Sequence, residues 1–400
     1  MRRPGEFTRF LAFYGAVFAA FGVASPFLPA LLLQNGLSST ELGVALAAGT
    51  AVRLVTGPAG GRWADRVRRV PVLLAGFTAA SALVALGYGP VRGLLLLAAV
   101  GVAHAAVLAP IVPIADALAT RASADSGRFR YGWVRGAGSA AFVAATLVSG
   151  QLVERWELGA IIPLNAGLLA VAAAFALALP GQPAREPGRG QARLPASALL
   201  RVPGFTLLMT VAALIGGSHA MHDGFEVIRW QEAGMTPGAA SVLWSLSVLS
   251  EVVVFVVVGP ALLARLGLGG ALALSAAAGV VRWGAVALTA SFPVMAVVEP
   301  LHGLTFALVH LACVTGIGRM VPESLSATAQ AFYSTFALGT TGAAVTLGSG
   351  PLYGRFGAPA FWAMALLCAM AVPLALAVRV IAPSAPSRRS ATLPREPGSN

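Results

Sequence analysis

Twelve apolar runs, each about as long as a bilayer is thick, restrict this chain's fold more than any other feature. They fall at about 10–33, 40–61, 71–89, 94–118, 131–153 and 160–179, then at 204–226, 239–263, 269–290, 293–317, 325–349 and 356–381. Crossing ~30 Å of hydrocarbon at ~1.5 Å per residue takes ~20 residues of helix. A helix closes its own backbone hydrogen bonds, so it is the element such runs adopt in lipid. The expected fold is therefore an all-α integral membrane protein with twelve transmembrane helices. The stretch 180–203 interrupts the series with Pro, Gly and Arg and no apolar period, so it reads as a linker. Residues 383–400 are polar and Pro-rich and read as a disordered tail. The expected organisation is a first six-helix bundle over 1–179 and a second over 204–382.

Composition supports that solvent. Charged residues are 10% of the 400, against ~25% for a soluble domain, and mean hydropathy is +0.80. The net charge of +12 does not point to nucleic acid, because the basic residues form short clusters between apolar runs with no continuous stripe. All 27 are arginine. With the N-terminus inside, twenty of them fall in inner segments, and only Arg92, Arg155, Arg229 and Arg355 fall outside. That asymmetry places both termini and the linker in the cytoplasm of a multi-pass inner (plasma) membrane protein. Cys313 and Cys368 lie inside apolar runs and read as inert thiols. The run beginning at Phe10 is too long for a signal-peptide core and reads as a retained first helix.

An internal repeat divides the chain. Residues 146–156, TLVSGQLVERW, and 346–356, TLGSGPLYGRF, agree at six of eleven positions at an offset of half the chain. A weaker echo links Gly57-Pro58-Ala59 with Gly259-Pro260-Ala261. Parallel six-helix repeats imply two pseudo-symmetric bundles of the major facilitator kind. Gly61, Asp65 and Arg66, in GRWADRVRR after the second helix, resemble that superfamily's Gly-x-x-x-Asp-Arg loop motif. The resemblance implies a gating role, with the acid on the positive end of the eleventh helix near Glu323. Further matches are Tyr131-Gly132-x-x-Arg135, Ala109-Pro110-x-x-Pro113-x-x-Asp116, Leu243-Trp244 with Glu251, and Leu301-His302-Gly303-Leu304-Thr305-Phe306 with His310. Together they resemble the phenylpropionate permease branch, which is similar to nucleoside and oligosaccharide proton symporters. That resemblance implies proton-driven import and a monomer.

A charge inside the membrane is costly and needs a reason, ~2.5–3.5 kcal/mol on insertion scales. Glu251, amid valines in the eighth run, reads as a proton carrier or as a structural partner of Arg282 in the ninth. Glu299, His302, Phe306 and His310 share one face of the tenth at α-helical spacing, and His titrates nearest physiological pH. Glu251, Glu299, His302, His310 and Arg282 are thus the proton-coupling candidates. The grouping resembles the Arg–His–Glu relay of oligosaccharide symporters, with His and Glu reversed on the tenth helix. His219, His222, Asp223 and Glu226 read as an outer gate, a proton entry or a solvated helix end; no Cys accompanies them, and no metal is assigned. Arg135 and Asp116 read as a salt bridge at the inner gate, with Arg135 alternatively reading a substrate carboxylate. Arg53, His104, Arg135, His219, His222, Trp244 and Phe306 are the candidate substrate-cavity residues.

No P-loop, nucleophile elbow, zinc signature or dinucleotide fingerprint is present, so neither an enzyme nor an ATP-driven pump is expected, and no cofactor. The leading expectation is secondary active symport of a small organic solute, such as an aromatic carboxylate, with protons. Proton-coupled drug or metabolite export is the alternative. A non-transporting receptor or sensor is the alternative of another class, and a passive channel fits the repeat poorly.

Overall fold

The computed structural model of the chain describes residues 5–127, 129–181 and 196–381. The expected tail over 383–400 and most of the expected linker, 182–195, lie outside them. Nine helical segments among the described residues are long and apolar enough to cross a membrane. One of them, Pro237–Leu288, is two spans: Gly267 takes φ 68°, ψ 179° in its middle and turns the chain back. The shorter apolar helix Val70–Leu86 and the segment 323–356 complete twelve. We label them α1 (Glu6–Ala24, continued after a turn by Leu28–Gln34), α2 (Ser39–Ala64), α3 (Val70–Leu86), α4 (Leu94–Asp125), α5 (Tyr131–Trp156) and α6 (Leu158–Leu177). The second half holds α7 (Phe205–Glu232), α8 (237–266), α9 (268–288), α10 (Phe292–Met320), α11 (323–356) and α12 (Ala358–Val378).

Local chemistry starts α2 and α8 alike. Ser38 and Glu41 form a reciprocal capping box ahead of α2. Thr236 caps α8 by accepting from the Ala239 amide at 3.2 Å, with Pro237 at the first helical position.

Packing repeats across the halves. In the first, α1 lies against α5 and α6, α2 against α4, and α3 against α6; in the second, α7 lies against α11 and α12, α8 against α10, and α9 against α12. This is the major facilitator architecture of two pseudo-symmetric bundles. Large apolar side chains such as Leu83, Leu95, Val256 and Val297 remain exposed on the outside, as a lipid-facing surface requires.

The extensive contacts between the halves run through α2 with α11 and α5 with α8. They use the start of α2 and α8 and the end of α5 and α11, so they close the end opposite to where α1 begins. The internal repeat supplies both seams. A Cβ on Gly350 would sit 2.6 Å from the Ser39 carbonyl oxygen and 3.1 Å from the Cα of Gly43. A Cβ on Gly150 would sit 2.9 Å from the Pro237 carbonyl oxygen and collide with the Ser241 side chain. Small residues let helix backbones approach this closely. Beside them the Glu154 carboxylate accepts the Gly238 amide at 3.0 Å, bridging α5 to the first turn of α8.

Candidate functional site

Arg282 of α9 is fully buried and organises the interior of the second half. Its planar fork carries only donors, so every partner must accept. Nη1 donates to His302 Nδ1 at 2.7 Å, and Nη2 donates to Glu299 Oε2 at 2.7 Å and His222 Nδ1 at 3.1 Å. Glu226 Oε2 stands 3.6 Å from the same Nη2 and in direct contact with His222 Nδ1. The guanidinium lies over the Trp283 ring at 4.4 Å, a cation–π contact.

Because His302 Nδ1 accepts from Arg282, the neutral ring carries its proton on Nε2. Nε2 is 2.8 Å from Glu251 Oε1 and donates to it. Glu251 is the open end of this chain of contacts, 23% exposed, whereas Glu299 and Glu226 at the other end are fully buried. Ser247 of α8 donates a second hydrogen bond to Glu299 Oε2 at 2.5 Å. The helices meet closely here because Gly303 has no side chain: a Cβ there would lie 2.6 Å from the Ser250 carbonyl oxygen. That approach sets Glu251 against His302.

Rings wall the site. His222 stacks on Trp244 at 4.6 Å, and His302 stacks on Phe306 at 5.6 Å. His219 presents its edge to His302 at 4.9 Å and packs on Trp283 and Phe306. Trp283 in turn donates its indole N–H to Ser218 at 2.9 Å. Phe306 is 44% exposed and faces outward from the cluster.

π-helical turns set these positions. They span His222–Glu226 in α7, Val254–Val258 in α8, Gly303–Leu308 in α10 and Tyr333–Thr340 in α11. A π turn holds an extra residue, so side chains after it are rotated relative to an unbroken helix. In α7 the turn buries His222 and Glu226 while leaving Asp223 72% exposed.

His222, Glu226 and Glu299 offer three ligand atoms within 4.8 Å of one another. Arg282 Nη2 already lies 3.1, 3.6 and 2.7 Å from those atoms, so a guanidinium holds the place a metal cation would take.

A family model built from related chains matches residues 7–364. The chain belongs to the MFS_1 like family. Among curated proteins it is 33% identical to a probable 3-phenylpropionic acid transporter of Escherichia coli (strain K12), over 90% of this chain and 95% of that one. It is 27% identical to a maltose permease of Geobacillus stearothermophilus, over 92% and 93%. A crystal structure of the nucleoside transporter NupG superposes with a TM-score of 0.80 at 15% identity, covering 94% of this chain and 99% of that one. As a member of the MFS_1 like family the protein is a multi-pass membrane transporter of the major facilitator superfamily and not an enzyme.

The other candidate residues distribute unevenly around this transporter. Arg53 is exposed at mid-span in α2. His104 is buried edge-on against Tyr88 at 5.6 Å. Arg135 lies 4.3 Å over Phe18 and donates to Ser139 at 3.4 Å. Neither arginine makes an ion pair among the described residues. The expected Arg135–Asp116 salt bridge is absent among the described residues; Tyr14 donates to Asp116 at 2.5 Å instead. Asp65 and Arg66 are exposed, Gly61 is half-buried, and Asp65 makes no ion pair among the described residues, at the end where the halves are not sealed together. His310 lies apart from the Arg282 network, 3.2 Å from the Tyr333 hydroxyl and edge-on to Phe255. Ser247 joins the network without having been expected from sequence, and Glu226, expected only as part of an outer gate, proton entry or solvated helix end, sits inside it.

Proposed function

We propose that this transporter couples protons to the uptake of a small organic solute, with an aromatic carboxylate as the leading class, by alternating access of its two halves. The observation that carries the reading is the continuous chain Glu251–His302–Arg282–Glu299, running from a partly exposed carboxylate into a buried ion pair. A carboxylate at the cavity edge that gains and loses its proton there changes the charge of the central site, which is what coupling requires. Arg53 and Arg135 make no ion pair among the described residues, and a planar guanidinium suits a solute carboxylate. Phe306, Trp244 and Phe18 supply aromatic surface nearby, and the relative named for 3-phenylpropionic acid supports the same class.

The arginine asymmetry supports a cell-membrane protein with cytoplasmic termini, 1–179 and 204–382 as its moving halves and 180–203 as their cytoplasmic linker. The sealed end would then face outside, and the conformation would be the one that releases solute inward. Nothing in the site requires a second copy, and a monomer suffices.

The test is uptake into reconstituted vesicles with an imposed pH gradient. 3-Phenylpropionate, maltose and a nucleoside are offered separately, with wild type and Glu251→Gln. Uptake of the aromatic acid that follows the gradient and is lost in the variant supports the proposal. Gradient-independent uptake, or an unchanged Glu251→Gln, would remove proton coupling through this residue. Uptake of maltose or the nucleoside alone would remove the carboxylate.

A further inference from the structure

Two buried carboxylates, Glu226 and Glu299, stand around one buried guanidinium. The coupling chain proposed above uses Glu299 and leaves Glu226 without a role. Hydrogen-bond roles divide the two acids. Glu299 Oε2 receives two donors, Arg282 Nη2 at 2.7 Å and the Ser247 hydroxyl at 2.5 Å, so it is the natural site of the negative charge that balances Arg282. Glu226 Oε2 receives no donor closer than Nη2 at 3.6 Å; Oε1 of each acid is buried without a hydrogen-bond partner, so the two differ in what reaches Oε2.

What Glu226 does touch is His222 Nδ1. The same nitrogen is 3.1 Å from Arg282 Nη2, which can only donate. Nδ1 therefore offers a lone pair to the guanidinium, and an ionised Glu226 oxygen would set a second lone pair against it. A proton on Glu226 Oε2 removes the conflict, since the acid then donates to Nδ1 and the buried set becomes Arg282 plus one carboxylate.

We propose that Glu226 holds a resident proton at neutral pH and donates it in a hydrogen bond to His222 Nδ1, a proton-binding site separate from the exchangeable one on Glu251. The groups facing it are named by element: His219 and Asp223 on α7 itself, Glu251 on α8, Arg282 on α9, Glu299 and His302 on α10, and Arg53 of α2 at longer range. Arg282 connects the two proton sites. Its Nη1 fixes the tautomer of His302, which serves Glu251, and its Nη2 fixes that of His222, which serves Glu226. The resident proton keeps the buried set neutral, so that gain and loss at Glu251 is the only charge change the interior undergoes. That consequence rests on the proton-coupled reading; the occupancy itself does not.

Infrared spectroscopy of the purified transporter at pH 8 tests the occupancy through its carboxylic-acid C=O stretch. The band is expected in wild type and in Glu251→Gln, and is expected to vanish in Glu226→Gln. Its absence from wild type, or its loss in Glu299→Gln with retention in Glu226→Gln, overturns the proposal. Glu226→Gln carries a neutral isostere of a protonated acid, so it is expected to fold and melt like wild type, and a variant that fails to fold counts against a resident proton. The two readings separate cleanly: if uptake ignores the pH gradient while the band behaves as expected, coupling fails and the resident proton stands.

Discussion

The two halves share a packing plan and differ in what they bury. Each places its first helix against its fifth and sixth and its second against its fourth, and each seals the outer seam with the glycine of the same repeat. Yet the second half encloses Arg282 with Glu226, Glu251, Glu299 and three histidines, and holds four π turns. The first half has no π turn among the described residues. Its in-span arginines, Arg53 and Arg135, make no ion pair among the described residues, and Arg135 lies over Phe18 and donates to Ser139 within its own half. A framework that moves as two rigid bodies, as in the proposed alternating access, calls for matched halves, whereas chemistry needs only one copy. Under the proposed function the second half is the proton half and the first supplies the charge that reads the solute.

Removing the centre of the proton half should have the largest effect. Arg282→Met leaves buried Glu299 without its counter-ion, which costs about 3–5 kcal/mol when one member of a buried pair is deleted. The expected outcome is a large fall in thermal stability in detergent, together with loss of transport. If the variant melts like wild type, the network is not the organising element described here, and the contrast between the halves loses its basis.

The first half should respond differently. Arg53→Gln and Arg135→Gln each remove one charged donor from the cavity without exposing a buried acid. Stability is expected to change little, while affinity for a carboxylate solute falls by about 1.5–3 kcal/mol, or roughly one to two decades. Equilibrium binding of 3-phenylpropionate measures this directly. A collapse in stability with affinity unchanged would reverse the assignment and make these arginines structural.

The outer seam tests symmetry itself. Gly350→Val and Gly150→Val put a side chain where backbone or Ser241 now stands, an overpacking cost of about 1–3 kcal/mol against closure. Both should open that end. Faster maleimide labelling of a cysteine placed at the buried Ala45 would report it, with the native Cys313 and Cys368 also buried. Similar effects would show that the repeat matches in energy as well as in geometry. A response from only one glycine would show that one seam controls the gate.

Much of this was legible before any coordinates, because lipid leaves a chain few options. The runs and the repeat follow from apolar length, and the grouping of Glu251, His302, Arg282 and Glu299 was expected from the resemblance to oligosaccharide symporters; Glu251 meets His302, however, while Arg282 takes Glu299 as its ion-pair partner. The misreadings trace to helix register. The seventh run was expected to stop near 226, yet the helix continues to Glu232, so Glu226 sits more than a turn inside the span and not at its wet end. The Arg135–Asp116 pair was expected from two charges near a short connection, but the Tyr14 hydroxyl satisfies the acid instead. Aromatic hydroxyls from distant spans leave no local mark in a sequence.

His310 is the clearest case of register and gives the smallest expected effect. Spacings of three, four and four put Glu299, His302, Phe306 and His310 on one face of an ideal helix. In α10 a 3-10 turn covers Glu299–Leu301 and a π turn covers Gly303–Leu308, so the helix past them is rotated and His310 meets Tyr333 instead of the network. His310→Asn should therefore cost only the one hydrogen bond, about 0.5–1.5 kcal/mol, and should leave the pH dependence of uptake where wild type has it. His302→Asn differs, because it breaks the link between Glu251 and Arg282. Measuring both pH profiles in the same vesicles separates residues that merely share a sequence period from residues the irregular turns bring together. A shift with His310→Asn would extend the proton path along α10 toward the unsealed end.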